Sequence, residues 1–483
     1  MTKSFTTLEI TRREREALGE AALAWCLDYF ETTRDTPIYP SVSADQVRAM
    51  TRESLPKDAQ PMQHVMEQFA ALAALGRKNG HPRMFGYVQS SGTFAGAVGD
   101  LLASALNQNV TSWRSAPSAT TVERQTIGWI ASMLELPSST AGLFVSGGSM
   151  ANFAALATAL RASTGEDLNQ RGVAALGRAP IIYAASTVHM SIPKAAAMLG
   201  VGRDAVRTIA VDSDFRMDVA ALDRAIAEDR AAGHLPICVV ASAGDVNTGA
   251  IDPLDAIADV CAHHRVWFHV DGAYGGFAVL APTVTKQFRG LTRADSVALD
   301  PHKWLFAPVD VGCLLARDYA ALHTTFSQGA SYVDVVADER MSDFAFWDYG
   351  PELSRRFRAL KVWFALKLHG VDAIAAAIES NIQIARQLAA AVDASRDFER
   401  LAPAPLSIVC FRYAPRDRPI DALDTLNRRL MLEVQRRGDA YLSNAVLNGQ
   451  FALRACIVNY RTSAADVERL LEAVRAAART LSL

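Results

Sequence analysis

At 483 residues the chain can bury a large core and is expected to divide into two or three lobes. Half of its residues are hydrophobic and 21% are charged, which excludes a disordered chain, and a net charge of -2 gives no reason to expect a nucleic acid or an anionic membrane as partner. The N-terminus lacks the apolar core of a signal peptide and no run is long enough to cross a bilayer, so neither secretion nor membrane insertion is expected.

Residues 11–33 and 61–76 carry helical spacing, the second with Met62, Val65, Met66 and Phe69 on one stripe. A stretch containing Pro and Ser, 35–45, lies between them. Helices without strands of their own are expected to pack on something else, here a partner subunit. Helical segments at 94–108 and 118–136 then lead to a short apolar strand, Leu143-Phe144-Val145. That strand runs into Ser146-Gly147-Gly148-Ser149 and on into the helically spaced Met150-Ala151-Asn152-Phe153-Ala154-Ala155-Leu156. Glycines let the backbone approach a ligand, and a helix start favours negative charge, so this arrangement suits a phosphate. A plain turn with Ser149 as helix cap reads the same residues without a ligand.

Strand-like runs follow at 181–185, 206–211, 237–242, 266–270, 296–299 and 312–316, separated by helical ones. The alternation predicts an α/β fold on a mainly parallel seven-stranded sheet wrapped by helices. Ligands of such sheets sit beyond the carboxyl ends of the strands. Polar residues fall at four such ends: Ser149, His189, Asp271 and Lys303. Beyond about residue 344 the pattern changes. A helix is predicted over 353–369, carrying Arg355, Arg356 and Arg358, with further helices to about 394. Two strand-like runs, 406–413 and 451–458, follow. The turn Leu447-Asn448-Gly449-Gln450 predicts a hairpin with 440–446, and an amphipathic helix closes the chain from Ala464. The expected division is an N-terminal helical segment at 1–85, a large domain at 86–360 and a smaller α+β domain at 361–483.

The apolar run Ser296-Val297-Ala298-Leu299 ends in Asp300-Pro301-His302-Lys303-Trp304. A lysine at the mouth of a strand can be a buried amine whose neutral form attacks a carbonyl, or simply a surface lysine after a turn. The other stretches favour the first reading. An imine-forming Lys303, a phosphate cradle of Gly147, Gly148 and Ser149, a carboxylate at Asp271 and a stacking ring at His189 together describe a site for pyridoxal 5′-phosphate. Asp271 would keep the pyridine nitrogen protonated, so that the ring accepts electron density as a bond at the substrate α-carbon breaks. A helix-capping Asp271 and a purely structural His189 are the alternatives.

At these residues, from about His81 to Tyr460, the chain resembles the group II pyridoxal-phosphate-dependent amino-acid decarboxylases, the family of aromatic-L-amino-acid decarboxylase. The resemblance is carried by His81-Pro82-Arg83-Met84-Phe85-Gly86-Tyr87, Ser146-Gly147-Gly148-Ser149, Asp271-Gly272-Ala273-Tyr274-Gly275, Asp300-Pro301-His302-Lys303-Trp304 and Arg355-Arg356-Phe357-Arg358. It implies a fold-type I, aspartate-aminotransferase-like architecture and a homodimer with active sites at the subunit interface. Carried over by motif, Lys303 binds the cofactor aldehyde, Asp271 pairs with the ring nitrogen, His189 stacks on one ring face and Ala273 lies against the other. His302 falls near phosphate and substrate. Tyr332, in Gly329-Ala330-Ser331-Tyr332, matches a loop tyrosine that protonates the α-carbon after carbon dioxide leaves.

Three departures stand out. Gly244-Asp245-Val246-Asn247-Thr248 replaces a Gly-Thr-Thr-like turn, so a hydroxyl near the cofactor is expected to be lost. Asp300 occupies a phosphate-side position that is asparagine in the animal enzymes, and a carboxylate there needs a proton, a water or a cation. The segment expected to line the side-chain pocket from the second subunit, Asn107-Gln108-Asn109-Val110-Thr111, is polar, and Tyr87 is followed by Val88-Gln89-Ser90. Substrate contacts are therefore expected at Tyr87, Asn109 and Thr111, with Arg454 shaping the carboxylate end.

The expected activity is decarboxylation of an L-amino acid, aromatic by family default, to an amine. The rivals are an oxygen-consuming aldehyde synthase on the same scaffold, a decarboxylase of small aliphatic or acidic amino acids, an aminotransferase or carbon–carbon lyase of this fold type, and a silent cofactor-binding protein. The six cysteines (Cys26, Cys238, Cys261, Cys313, Cys410, Cys456) are scattered without metal-ligand spacing, which fits reduced thiols in the cytoplasm better than disulfides or zinc.

Overall fold

Seven short runs join into one sheet: β1 (Ala141–Val145), β2 (Pro180–Ala185), β3 (Val206–Ile209), β4 (Leu235–Ser242), β5 (Trp267–Asp271), β6 (Ser296–Leu299) and β7 (Gly312–Ala316). This computed structural model describes residues 8–164, 168–328, 342, 344–416 and 418–481. The strand order is β1-β7-β6-β5-β4-β2-β3. Strands β2 to β6 pair in parallel, while β7 runs antiparallel to both β1 and β6. Every residue of β1, β6 and β7 is buried, because helices cover both faces; this is why these strands read as unbroken apolar runs.

The register decides what meets at the sheet edge. Val145 ends β1 opposite Gly312, Leu299 ends β6 opposite Cys313, and Asp271 ends β5 beside Ala298 and Ser242. The segments leaving β1, β5 and β6 therefore emerge side by side. Glycine at 312 makes this possible. A Cβ there would lie 2.4 Å from the carbonyl carbon of Gly147, so only a bare backbone lets the turn after β1 rest on β7.

A second, antiparallel sheet forms from β8 (Phe398–Arg400), β9 (Ile408–Tyr413), β10 (Ser443–Leu447) and β11 (Gln450–Cys456), in the order β10-β11-β9-β8. Asn448 and Gly449 both take positive φ, 48° and 79°, as the expected tight hairpin demands. Helices Leu423–Arg437 and Ala464–Thr480 contribute Leu430, Val434, Leu470 and Val474 to a core shared with Phe411 and Leu453 of this sheet. The long helix Ala359–Ala394, broken at Gly370, joins the two parts. Its Val362 and Ile378 pack in the core of the large sheet, its Leu388 and Val392 in that of the small one.

One expectation fails here. The helix predicted over 353–369 begins only at Ala359, and Arg355, Arg356 and Arg358 precede it. Tertiary hydrogen bonds outcompete the local preference. The Arg355 N–H donates to Asn109 Oδ1 (2.7 Å), and its carbonyl accepts from Val110 N–H (2.9 Å). Its buried guanidinium donates to Val110 O and Phe144 O (2.7 and 2.8 Å) and pairs with buried Glu123. At the N-terminus the helices Arg12–Thr32 and Met62–Ala74 form as expected. A third, Ala44–Thr51, capped reciprocally by Ser43 and Gln46, starts at the end of the 35–45 stretch. None of the three buries a residue. Among the described residues no helix is long and apolar enough to cross a membrane, and all six cysteines are unpaired.

Candidate active site

Lys303 owes its position to the end of β6. Pro301 starts a single helical turn, Pro301–Trp304, that folds the chain back on itself, and Lys303 N–H donates to Asp300 O at 2.8 Å. The amine then lies 2.8 Å from Asp300 Oδ2. Asp300 is 3% exposed, and its other oxygen, Oδ1, has no hydrogen-bond partner among the described residues. His302 completes the turn. Its Nδ1 donates to Val311 O (2.8 Å), which leaves Nε2 3.8 Å from Asp300 Oδ2.

Facing this turn is the one after β1. Helix Gly148–Thr164 begins there, with Met150 and Ala151 N–H both donating to Gly147 O (2.9 and 3.0 Å). Ser149 thus sits inside the first turn and is not its cap. A Cβ on Gly148 would approach Asp300 Oδ2 to 2.8 Å and Ala273 Cβ to 2.9 Å, so the space in front of this helix start exists only because the residue is glycine.

Asp271 ends β5 as the third wall. Its Oδ1 accepts from Ala273 N–H (3.1 Å) and its Oδ2 from Asn152 Nδ2 (2.9 Å). His189, which follows β2, is held through Nδ1 by the hydroxyl and the backbone N–H of Ser191 (2.9 and 3.2 Å). Burial pushes the His189 ring below the usual histidine range, with Asp271 opposing that shift.

Gly147, Gly148, Ser149, His189, Asp271, Ala273, Asp300, His302 and Lys303 all line one cavity of about 300 Å³. The residues present fit pyridoxal 5′-phosphate. An amine, a helix start opened by two glycines, a buried carboxylate and an imidazole line a space the size of one substituted pyridine ring. Ser242 and Val246 also line the cavity, while Thr248 Oγ1 donates to Asp245 Oδ2 (2.9 Å). A larger cavity of about 970 Å³ is lined by Thr111, Phe153, Phe326 and Trp347. Among the described residues it offers no lysine and no carboxylate, so its size does not make it the reaction site.

Four expected substrate residues lie outside the smaller cavity. Tyr87 is half exposed, with Arg77 over its ring at 5.0 Å. Asn109 is occupied by Arg355, and Thr111 lines the larger cavity. Arg454 stands behind the wall, donating to Val246 O (2.7 Å) and Ser443 Oγ (3.1 Å). Tyr332 falls outside the described residues. Sequence reasoning missed Asn152, Ser191 and His269. Their signal was present but weak: Asn152 lies three residues past Ser149, one helical turn on, and His269 interrupts an apolar run.

Comparison with known proteins agrees with this geometry. The family model described as "Pyridoxal-dependent decarboxylase conserved domain" matches residues 45–414. The chain is 35% identical over 482 residues to an aromatic-L-amino-acid decarboxylase of Bacillus atrophaeus, covering 99% of this chain and 98% of the relative. It is 30% identical over 468 residues to tyrosine decarboxylase 4 of Petroselinum crispum, covering 95% and 92%. The crystal structure of Oryza sativa TDC with PLP and tryptamine overlays with a TM-score of 0.91 at 27% identity, over 99% of this chain and 100% of that one.

Proposed function

The chain belongs to the pyridoxal-dependent decarboxylase family, and on that premise we propose that it removes the α-carboxylate of an aromatic L-amino acid, giving the amine and carbon dioxide. The observation that carries this reading is that the Lys303 amine, the Asp271 carboxylate and the bare helix start at Gly148 share one cavity, in a chain that parallels an aromatic-amino-acid decarboxylase over nearly its whole length. Pyridoxal phosphate, when bound, supplies the sink for the electron pair left on the α-carbon as carbon dioxide departs.

The chain's own residues do the rest. Lys303 would anchor the cofactor aldehyde through Nζ. Gly147, Gly148 and Ser149 bind the phosphate at the helix start, with His302 and Asp300 beside it. Asp271 would pair with the ring nitrogen and hold its proton. His189 would stand against one ring face and Ala273 against the other. Tyr332 delivers the proton that replaces the carboxylate. Arg454 acts through the Val246 carbonyl to shape the substrate end.

Tyr87, Asn109 and Thr111 are assigned to the side-chain pocket of a partner subunit's site, since they lie outside the cavity in their own chain. A homodimer with shared sites is supported by the apolar residues left exposed on the two N-terminal helices, among them Leu18, Leu23, Leu27, Val65, Phe69 and Leu72. The division into 1–85, 86–360 and 361–483 belongs to the same proposal, supported by the separate core around Phe411, Leu430 and Leu470. Unpaired thiols at all six cysteines support a cytoplasmic setting.

The test is to incubate the purified protein with pyridoxal phosphate and each L-amino acid, and to measure carbon dioxide, amine and peroxide together. Equal yields of carbon dioxide and amine from aromatic substrates are expected. Stoichiometric peroxide and aldehyde, or a preference for acidic or aliphatic amino acids, would overturn the reading.

A further inference from the structure

We infer that Asn152 is a positioning residue that ties together the two groups holding the cofactor ring, Asp271 and His189, and that His269 behind it fixes the direction of every proton in that tie. The inference rests on the roles proposed above for Asp271 and His189, and gives work to residues those roles leave unused.

An asparagine amide has two N–H donors and one carbonyl acceptor. One nitrogen of Asn152 lies 2.9 Å from both Asp271 Oδ2 and Ser191 Oγ, and its oxygen lies 2.9 Å from His269 Nε2. A carboxylate only accepts, so the amide nitrogen must face Asp271 and the oxygen must face His269. His269 Nε2 therefore carries the hydrogen. The ring is wholly buried, and burial pushes it down to about 4, so it is neutral near pH 7 and its Nδ1 is a bare acceptor. The Ser296 hydroxyl, 2.8 Å away, donates to that Nδ1, and in turn Ser296 Oγ accepts from the Trp267 indole N–H at 2.8 Å.

The sheet register makes this possible, since His269 of β5 is paired directly with Ser296 of β6. The result is a directed series of donors, from Trp267 through Ser296, His269 and Asn152, ending on Asp271. Donors in series polarise one another.

The second N–H of Asn152 makes the branch to His189. Ser191 Oγ accepts it and turns its own hydrogen to His189 Nδ1, which leaves His189 with its hydrogen on Nε2. One amide thus donates both to the ring-nitrogen partner and to the hydroxyl that, together with the Ser191 backbone N–H, faces Nδ1 of the stacking ring. Asn152 is 1% exposed and Ser296 2%, so water does not compete for these bonds.

The test compares full-length variants reconstituted with pyridoxal phosphate. The readouts are cofactor Kd and the pH titration of the bound cofactor's visible absorbance band. Outer partners of metal ligands typically hold about tenfold to a hundredfold in affinity or activity, and the same scale is expected for an outer partner of a cofactor-holding carboxylate. Asn152→Leu is expected to raise Kd about tenfold or more and to move the band's titration by about one pH unit. His269→Leu should act alike. His269→Gln, whose Nε2 can take the place of the imidazole Nε2–H, should restore the wild-type spectrum. Wild-type Kd and titration in a folded Asn152→Leu would overturn the inference, and so would His269→Gln being as impaired as His269→Leu. If Asn152→Leu does not fold, Ser191→Ala decides: a shifted band supports the tie and an unchanged one overturns it. Asp271→Asn is the control. If it too leaves band and affinity unchanged, the roles proposed for the site fail and not only the tie behind them.

Discussion

The indole of Trp304 lies flat on the ring of Tyr274, with 5.0 Å between centroids and 15° between planes. Each residue belongs to one of the cavity's motifs, Tyr274 to the one that begins at Asp271 and Trp304 to the one that begins at Asp300. Each also reaches out of the large sheet. Tyr274 OH lies 2.7 Å from Ser407 Oγ and accepts from Ser407 N–H at 3.0 Å, and Trp304 Nε1 donates to Asn381 Oδ1 at 3.1 Å. The stack thereby pins both loops to the C-terminal part of the chain. Tyr274→Phe strands the buried Ser407 N–H and is expected to cost about 1–3 kcal/mol, read as a lower urea midpoint. A midpoint equal to wild type would remove this account of the tyrosine.

Arg355 and Glu123 form the most deeply buried ion pair described, with side chains 1% and 0% exposed. Burial pushes the Glu123 carboxyl up and the Arg355 guanidinium opposes it. Removing one partner leaves the other charge buried, so Arg355→Met alone is expected to cost about 3–5 kcal/mol. Arg355→Met with Glu123→Gln should recover part of that loss. Chemical denaturation of the single and double variants measures the difference, and additive losses would contradict a pair that acts as a unit.

The contrast between these residues explains what was legible in the sequence. Lys303, Asp271 and Gly148 could be found because strand ends in an α/β sheet are predictable places, and their residue types carry their chemistry with them. The seven strands could be found because burial on both faces writes unbroken apolar runs. Arg355 was read as helical because local spacing favours it, while its actual conformation is set by Asn109, Val110 and Glu123, more than two hundred residues away in sequence. The Asn152 and His269 pairing depends on a helix meeting a strand across 117 residues, which no local pattern encodes. The antiparallel direction of β7 was equally invisible, since a buried strand reads the same either way.

Asp300 gives a third prediction. Among the described residues its Oδ1 has no partner, its Oδ2 pairs with Lys303, and it borders the helix start at Gly148. A carboxylate a few ångströms from a phosphate repels it by a few kcal/mol at an effective dielectric near 20, before neighbouring cations offset this. An asparagine keeps the shape, removes the repulsion and can donate. Asp300→Asn is expected to bind pyridoxal phosphate about tenfold more tightly, measured by fluorescence quenching. Weaker binding would show that the carboxylate carries a proton or a cation when the phosphate is in place.

The buried imidazoles give the last prediction. His81 and His269 are both fully buried, and burial pushes each from 6.5 down to about 4. As pH falls through this window the unfolded chain takes up these protons before the folded one. The stability they contribute is therefore complete above about pH 6.5 and is lost as pH falls towards 4, by at most about 1.4 kcal/mol per pH unit for each ring. Asp252, pushed up to about 7 by burial, has the opposite sign, since its folded form holds a proton that the unfolded form has released. The informative measurement is thus a difference of slopes. Stability of wild type and of His269→Gln is measured by denaturant titration at intervals between pH 7 and 4.5. The wild-type curve should fall more steeply on acidification, and parallel curves would mean that the His269 ring is already protonated, or already exposed, in the folded chain.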